Sequence, residues 1–282
     1  MHCYPSEVIV DPAGWARRNK EPHWENLVTN GPQGWADPEE LLRCMDRDGV
    51  DTVLLQAWYW ENSDTALHQN EWHAGWLARY PGRFLACASV HPDMADPVAE
   101  LEAARQWGAC AVGECLPQIQ TARGWSHPAW ETILHWTTQA AWPFCLHVTE
   151  PVGHSYPGRV ETPMMELLDL FEQYPEQRWL LAHWGGGLPF HFLNRRVRKA
   201  LDNVWFDSAA SPLLYRPEIW RIVHDLVGPS RMLFGSDFPL LLYPSKEQHP
   251  GWQRLLAEVA SSGLGEDALA ALLRDNFSVL FR

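Results

Sequence analysis

The 282-residue sequence is poor in positive charge and has no long apolar run. Lysine and arginine number 22 against 35 aspartates and glutamates, which gives a formal net charge of −13. Because nucleic-acid binding needs a basic stripe, we expect no nucleic-acid partner. No apolar run reaches the roughly 18 residues that a membrane span needs, and no signal-peptide pattern is present, so we also expect no membrane partner.

Three common cofactor and nucleophile motifs are absent as well. The six cysteines form no C-x-x-C pair, and several lie in apolar runs such as "FLACASV", where a thiol packs like a small hydrophobic group. A disulfide framework is not expected in a chain of this length, which favours a reducing cytoplasm. No G-x-G-x-x-G follows the first strand and no G-x-S-x-G occurs, which argues against a dinucleotide site and a serine nucleophile.

What the sequence does contain is an alternation of strands and helices. The apolar runs predict seven buried strands at residues 51–58, 83–90, 109–115, 142–148, 178–184, 203–209 and 231–237. Helix signals lie between them. Asp37 and Asp96 each precede a proline as helix caps, Gly49 and Gly108 end those helices, and Thr162 is predicted to cap a third. A closing helix is predicted over 265–281.

This alternation predicts βαβ units and a parallel sheet. A (β/α)8 barrel needs about 250 residues. Seven strands plus a stub at residues 1–3 therefore predict a (β/α)8 TIM-type barrel, one domain over 1–282, with its first strand truncated at the N-terminus. A doubly wound open sheet is the alternative.

Histidines and acids stand at the ends of several predicted strands. His147, His183 and Asp237 each end one, Glu114 lies at the end of another, and His2 lies in the stub. In a parallel barrel these ends meet on one face. Imidazoles and carboxylates that converge there suit one or two divalent ions, with zinc expected first and manganese or iron as alternatives. Such an ion lowers the pKa of bound water to about 7.

Each of these residues also has an ordinary structural explanation. His147 could be a hydrogen-bonded core histidine, Asp237 a helix cap, Glu114 half of a buried ion pair and His2 a frayed terminus. Chance rarely places such groups at several strand ends, so the joint pattern favours a metal. A nucleophilic pair of Cys145 and His147 on one strand face is conceivable, but the acid-rich surroundings suit a metal better.

Further residues are candidates for substrate binding because they follow strands. The loop "WYWEN" offers aromatic side chains, and the long loop 149–159 offers polar ones, including Glu150. The predicted substrate-binding residues are Trp58, Trp60, His91, His154, Tyr156, Arg159 and Asp207. Arg159 could clamp a carboxylate with two parallel hydrogen bonds. Packing aromatics, a solvent-facing cation and a helix cap are the ordinary alternatives.

Several motifs resemble those of a known family. The segments "CLHVTE", "LLAHWGGGLPF", "NVWFDSAAS", "RMLFGSDFPLL" and "NFSVLF" resemble the amidohydrolase-related branch of the amidohydrolase superfamily. That branch includes metal-dependent hydrolases, lactonases and non-oxidative decarboxylases. The resemblance covers nearly the whole chain and is strongest at "AHWGGG" and "FGSDFP".

The resemblance implies a role for each residue. His2 would be the second histidine of the family's H-x-H, and His147 the next metal ligand. His183 would bind a second metal or act as the base that orients and deprotonates water, and Asp237 would bind metal and move the proton. Glu114 in "VGEC" resembles the strand-end glutamate of TatD-type nucleases, a metal ligand.

The departure from the family pattern is at the start of the chain. With His2 as the second histidine, the first histidine and the first strand would precede Met1. We expect that the reading frame starts further upstream; the alternative is that the chain begins here and has lost a ligand.

The expected function is that of a metal-dependent hydrolase. Its substrate would be an amide, lactone or related ester of a small organic acid, attacked by a metal-activated water. One alternative is a non-oxidative decarboxylase, in which His183 would handle the proton that replaces CO₂. Another is an inactive scaffold protein on the same fold. The expected partner is a small molecule, and the 17 tryptophans would suit a homodimer if they lie on outer helices.

Overall fold

The computed structural model describes residues 1–281, which form a seven-stranded parallel sheet with flanking helices. The strands are β1 Val53–Leu55, β2 Phe84–Ala88, β3 Ala111–Cys115, β4 Phe144–Leu146, β5 Trp179–Leu181, β6 Val204–Asp207 and β7 Met232–Leu233. Each strand pairs in parallel with the next one along the chain, in the order β1 to β7. A doubly wound sheet would reverse its strand order, so the open-sheet alternative is wrong and the (β/α)8 barrel is confirmed.

Helices precede β1, connect successive strands and follow β7. They are α1 Ser6–Val10, α2 Pro12–Asn19, α3 Pro22–Asn30, α4 Pro38–Asp48, α5 Ser63–Arg79, α6 Pro97–Trp107, α7 Pro117–Gln120, α8 Ala129–Gln139, α9 Met164–Gln173, α10 Arg195–Ala200, α11 Ser211–Leu214, α12 Ile219–Val227, α13 Gln253–Ala260, α14 Glu266–Ala270 and α15 Asn276–Phe281. A π-helical segment, Ala271–Asp275, joins α14 to α15. Within residues 1–281, none of the helices combines the length and apolarity needed to cross a bilayer.

The predicted caps of α4 and α6 are present. The Asp37 carboxylate accepts a hydrogen bond from the Glu40 amide (2.8 Å), and α4 ends at Gly49 with φ +71°. Asp96 and Gly108 bound α6 in the same way. The predicted cap at Thr162 is wrong.

Thr162 instead organises the loop after β4. The N-cap of α9 is Pro163, and the Thr162 hydroxyl accepts a hydrogen bond from the Thr149 amide (3.2 Å). That bond joins the two ends of the loop 149–162, so the hydroxyl is no longer available to cap a helix. Helices α1 to α3, over residues 6–30, were not predicted.

Residues 1–3 lie between the two outer strands, β1 and β7. The Met1 ammonium donates to the Leu54 carbonyl (3.2 Å), and the Gln56 amide donates to the Met1 carbonyl (2.8 Å). On the other side, the His2 amide donates to the Phe238 carbonyl (2.6 Å). The predicted stub thus bridges the seam of the barrel at the carboxyl ends of the strands.

Within residues 1–281, β1 and β7 do not pair with each other. A cavity of about 470 Å³ lies at the seam between them and is lined by residues that include Met1, Leu54 and Phe277. The C-terminal segment covers the adjacent edge of β7, because the Phe234 amide donates to the Leu272 carbonyl (3.0 Å) and the Asn276 amide group donates to the Met232 carbonyl (2.7 Å). This contact accounts for the asparagine of the terminal "NFSVLF".

The tryptophans fill the interior of the protein. Seven of them are almost completely buried: Trp24, Trp60, Trp130, Trp179, Trp184, Trp220 and Trp252. One aromatic cluster joins α2 and α3 to the loop after β1 through contacts among Trp15, Trp24 and Trp60. The seven rings therefore stabilise the core and do not form the outer surface from which a homodimer was expected.

Candidate metal centre and cavity

Three side chains from neighbouring strand ends converge at the carboxyl end of the sheet. His147 Nδ1 lies 2.8 Å from Glu114 Oε1, and His183 Nε2 lies 3.3 Å from His147 Nδ1. One ligand atom from each residue lies within 4.8 Å of the other two. Nitrogen and oxygen atoms at this spacing form a group that can hold a divalent metal ion.

His2 and Asp237 complete the cluster. His2 Nε2 lies 3.5 Å from Glu114 Oε2 and 3.5 Å from Asp237 Oδ1. Thus all five residues that were predicted as ligands come together. Their roles as ligands remain a prediction, but their predicted proximity is present.

Glu114 reaches the cluster because β3 and β4 approach closely. Gly113 has φ +114°, and a Cβ atom there would overlap the Cys145 carbonyl oxygen and lie 2.9 Å from the Cys145 Cβ. Only glycine fits this conformation and this gap. The glycine of "VGEC" therefore determines where the next side chain, Glu114, points.

His183 is placed by a left-handed turn. His183, Trp184 and the three glycines that follow have φ between +54° and +83°. A Cβ atom on Gly186 would lie 2.8 Å from the Thr149 carbonyl oxygen, which accounts for a glycine in this part of "AHWGGG".

Hydrogen bonds then fix the orientation of the His183 ring. Nδ1 lies 3.1 Å from the Ala209 carbonyl oxygen, and the Asp207 carboxylate accepts from the His183 amide (3.3 Å). Because a carbonyl can only accept, Nδ1 carries the proton and Nε2 faces the cluster. Asp207 thus supports a predicted ligand, and its role in substrate binding stays a prediction.

Burial makes the charges of the cluster strongly interdependent. Burial alone would raise the pKa of Glu114, but the charge of His147 and its hydrogen bond hold that pKa well below its ordinary value. Burial likewise opposes ionisation of Asp237, yet the hydrogen bond from His2 and the charge of His183 lower its pKa. The carboxylates are therefore anionic.

The histidines show the opposite balance. Burial would lower the pKa of His2 and of His183, but the neighbouring carboxylates raise both. His2 is 5% exposed, and its Nδ1 has no hydrogen-bond partner among the described residues. A buried anionic cluster with three imidazoles fits a divalent cation, which would replace these protons as the compensating charge.

A cavity of about 400 Å³ opens above the cluster. His147, His183 and Asp237 contribute to its lining, together with aromatic and aliphatic side chains of the surrounding loops. The Trp58 ring packs edge-on against His2 with a centroid separation of 5.0 Å, and the Tyr59 ring lies 5.2 Å from that of His147. The cavity therefore joins an apolar wall to a polar base.

The predicted substrate-binding residues divide into two groups. Trp58, His154 and Tyr156 line the cavity, whereas Trp60, His91, Arg159 and Asp207 are not among its lining residues. The indole of Trp60 is buried and donates to Gln69 (2.6 Å), and His91 Nδ1 accepts from the Asp93 amide (3.1 Å).

Arg159 is directed at the backbone of its own loop. Its Nη2 donates to the carbonyl oxygens of Glu150 (3.1 Å) and Pro151 (2.9 Å), so the guanidinium stabilises its own loop, and its role as a carboxylate clamp stays a prediction. Glu150, which the sequence offered as a polar residue of the loop 149–159, also lines the cavity, and so does Tyr59, which was not individually predicted. The position of Tyr59 in the loop after β1 was the available signal.

Comparison with known proteins places these features in a family. The model of a family described as amidohydrolase matches residues 34–276. The fold is similar to that of a dihydroxybenzoic acid decarboxylase from a Polaromonas species with bound manganese and the inhibitor 2-nitroresorcinol (TM-score 0.70, 20% identity, 99% of this chain and 94% of that chain).

Two further solved structures share the fold. One is a 5-carboxyvanillate decarboxylase mutant from Novosphingobium aromaticivorans with bound manganese (TM-score 0.72, 15% identity, 97% and 93% covered). The other is a probable 2-pyrone-4,6-dicarboxylic acid hydrolase from Acinetobacter baumannii with bound citric acid (TM-score 0.61, 16% identity, 88% and 91% covered).

Proposed function

Because the chain belongs to the amidohydrolase family, we propose that it is a metal-dependent decarboxylase that removes the carboxylate of a small aromatic acid without oxidation. The observation that carries the proposal is a cavity with aromatic and aliphatic walls that ends on buried imidazoles and carboxylates. A ring would lie against the walls while its carboxylate reaches the cluster. The similar folds of two decarboxylases that contain manganese support this assignment.

Hydrolysis of a lactone or related ester, which the sequence first predicted, is the second candidate. The fold similarity to the pyrone dicarboxylic acid hydrolase supports it. The decarboxylase is preferred because the lining residues of the cavity, within residues 1–281, include no lysine or arginine that could hold a second carboxylate of such a substrate.

The metal would be held by the five clustered residues, His2, Glu114, His147, His183 and Asp237. A bound divalent cation would supply the positive charge that attracts the acidic oxygens of the substrate. We infer manganese from the similar structures, with zinc as the alternative expected from the sequence. Trp58 and Tyr59 would hold the substrate ring and exclude water from it.

Asp237 is the group that we assign to proton transfer. Its side chain is 15% exposed against 6% for Glu114, so it is the more accessible of the two carboxyl groups. The anionic Asp237 would take a proton from a water molecule of the cavity and would then give that proton to the ring carbon that bears the carboxylate. The carbon–carbon bond then breaks, its electron pair returns to the ring, and CO₂ leaves. Asp237 is then anionic again, the hydroxide that the water leaves is neutralised by the solvent, and the hydrogen bond of His183 to Ala209 keeps that imidazole in place.

Isotope labelling tests the proposal. The chain loaded with Mn²⁺ or Zn²⁺ is incubated with carboxyl-¹³C dihydroxybenzoates, and ¹³CO₂ is measured. A lactone incubated in H₂¹⁸O tests hydrolysis in parallel. Release of ¹³CO₂ that falls at least about 100-fold in Asp237→Asn supports the assignment. The matched control is Asp225→Asn, whose exposed carboxylate lies on α12 and should have no effect.

Two results would contradict the proposal. Incorporation of ¹⁸O without ¹³CO₂ release would favour the hydrolase. Absence of both products, together with no metal in plasma mass spectrometry of the purified protein, would favour the inactive scaffold.

A further inference from the structure

One wall of the cavity carries a buried acid that the reaction does not use. Glu150 lines the cavity and is 7% exposed. Its Oε1 accepts a hydrogen bond from the Val152 amide (3.2 Å), and its Oε2 accepts one from the Tyr215 hydroxyl. These bonds connect the loop after β4 to the loop after β6, so the Glu150 carboxylate is held in place before any ligand binds.

The carboxylate of Glu150 can make further bonds, but only to donors. An ionised carboxylate has about four lone-pair sites and no proton to give. The Val152 amide and the Tyr215 hydroxyl use two of those sites. Beside it, Gly187 has no side chain, and a Cβ there would lie 3.4 Å from Glu150 Oε2. The glycine thus keeps the space beside this oxygen free.

The cavity has no fixed cation to balance Glu150. Among residues 1–281, neither lysine nor arginine belongs to its lining. Arg159, in the same loop, is turned toward two backbone carbonyls. At the base, the charges of Glu114 and Asp237 already equal that of one divalent cation. A substrate with one carboxylate therefore gives the loaded cavity a net negative charge, and a second carboxylate would add to it next to Glu150.

From this charge balance, which rests on the proposed function, we propose that Glu150 determines substrate specificity. It accepts a hydrogen bond from a hydroxyl of the substrate and repels a second carboxylate. The substrate class is thus a hydroxylated aromatic monocarboxylic acid, and aromatic dicarboxylic acids are rejected. An unpaired buried polar group or a repelled charge is the usual physical basis of such discrimination.

Calorimetric titration of the Mn²⁺-loaded protein tests this proposal without relying on turnover. The probes are 2-hydroxybenzoate and 2-hydroxyisophthalate, which differ by one carboxylate, at pH 7.5 and a fixed salt concentration. We expect the monocarboxylate to bind at least about 30-fold more tightly. Glu150→Gln keeps an acceptor oxygen for the Val152 amide, and its NH2 group can donate to the Tyr215 oxygen. The variant removes the charge and should reduce this ratio to about 5-fold or less. Glu161→Gln, an exposed acid of the same loop, should leave the ratio unchanged.

A second variant covers the case in which Glu150→Gln does not fold. Leu213→Arg places a cation in the cavity wall and should increase the affinity for 2-hydroxyisophthalate at least about 10-fold. Equal binding of both acids to the unmodified protein, or an unchanged ratio in Glu150→Gln, would overturn the proposal. If the binding ratio holds but no acid releases CO₂, the decarboxylase is wrong and the specificity assignment stands.

Discussion

Replacement of Gly113 by alanine should damage the fold and the metal centre together. The new Cβ would overlap the Cys145 carbonyl and approach the Cys145 Cβ to 2.9 Å. Both atoms belong to β4 and cannot rotate away as the end of a flexible side chain could. Gly113 also accepts a hydrogen bond from the Ala57 amide (2.8 Å), and the Glu114 amide donates to the Ala57 carbonyl (2.9 Å). A displaced β3 would therefore move Glu114.

The expected magnitude follows from two separate costs. An alanine with positive φ costs about 1–2 kcal/mol. Overpacking in a rigid core adds about 1–3 kcal/mol. Gly108→Ala isolates the first cost, because Gly108 has φ +101° and its added Cβ would meet only Leu77 at 3.6 Å. We expect a loss of about 1–2 kcal/mol for Gly108→Ala and about 2–5 kcal/mol for Gly113→Ala.

Urea unfolding of both variants measures these losses, and plasma mass spectrometry measures their metal content. The slope of the unfolding transition must stay the same for the comparison to hold. Gly113→Ala should lose most of its metal, and Gly108→Ala should keep it. Equal destabilisation of the two variants, with full metal content in both, would refute the argument from the approach of β3 to β4.

Three further outcomes are expected. Burial raises the pKa of Glu21 to about 7 despite hydrogen bonds from the amides of Glu61 and Asn62. The free energy of unfolding of the wild-type protein should therefore fall by up to about 3 kcal/mol relative to that of Glu21→Gln as the pH rises from about 4.5 to 7. Parallel stability profiles of the two proteins would contradict this. Asp37→Ala removes the cap of α4 and should cost about 1 kcal/mol in urea unfolding, whereas Asp37→Asn, which still accepts the bond, should cost less. Removal of metal with a chelator should lower the melting temperature. If the metal was present at 100 times its dissociation constant, the free energy of unfolding should fall by about 3 kcal/mol. A melting temperature that does not change on chelation would argue against a bound metal.

The sequence predicted those features that depend on local chemistry or on chain order. Asp37 and Gly49 bound α4 because capping depends on a few adjacent residues. The meeting of His147 with His183 was predictable because the carboxyl ends of consecutive parallel strands lie side by side. Glu114 could be placed for the same reason.

Loop conformation could not be predicted in this way. Arg159 and Asp207 have side chains that could bind a substrate, and both lie at or after the ends of predicted strands. In the fold, however, each side chain forms a hydrogen bond with a backbone group that only the folded loops bring near. Thr162 has the sequence context of a helix cap, yet the loop after β4 needs its hydroxyl. In these cases tertiary packing outweighed the local pattern.

The seam between β1 and β7 has a consequence for local opening of the molecule. Three hydrogen bonds of Met1 and His2 bridge it at the end that carries the cluster. His2 belongs to this bridge, and Asp237 follows β7. A cation bound to both residues would therefore hold the two sides of the seam together. Segments with few hydrogen bonds open at low free energy. Chelation should therefore appear first as faster deuterium uptake at the amides of His2 and Gln56, while the amides of the outer helices still exchange slowly.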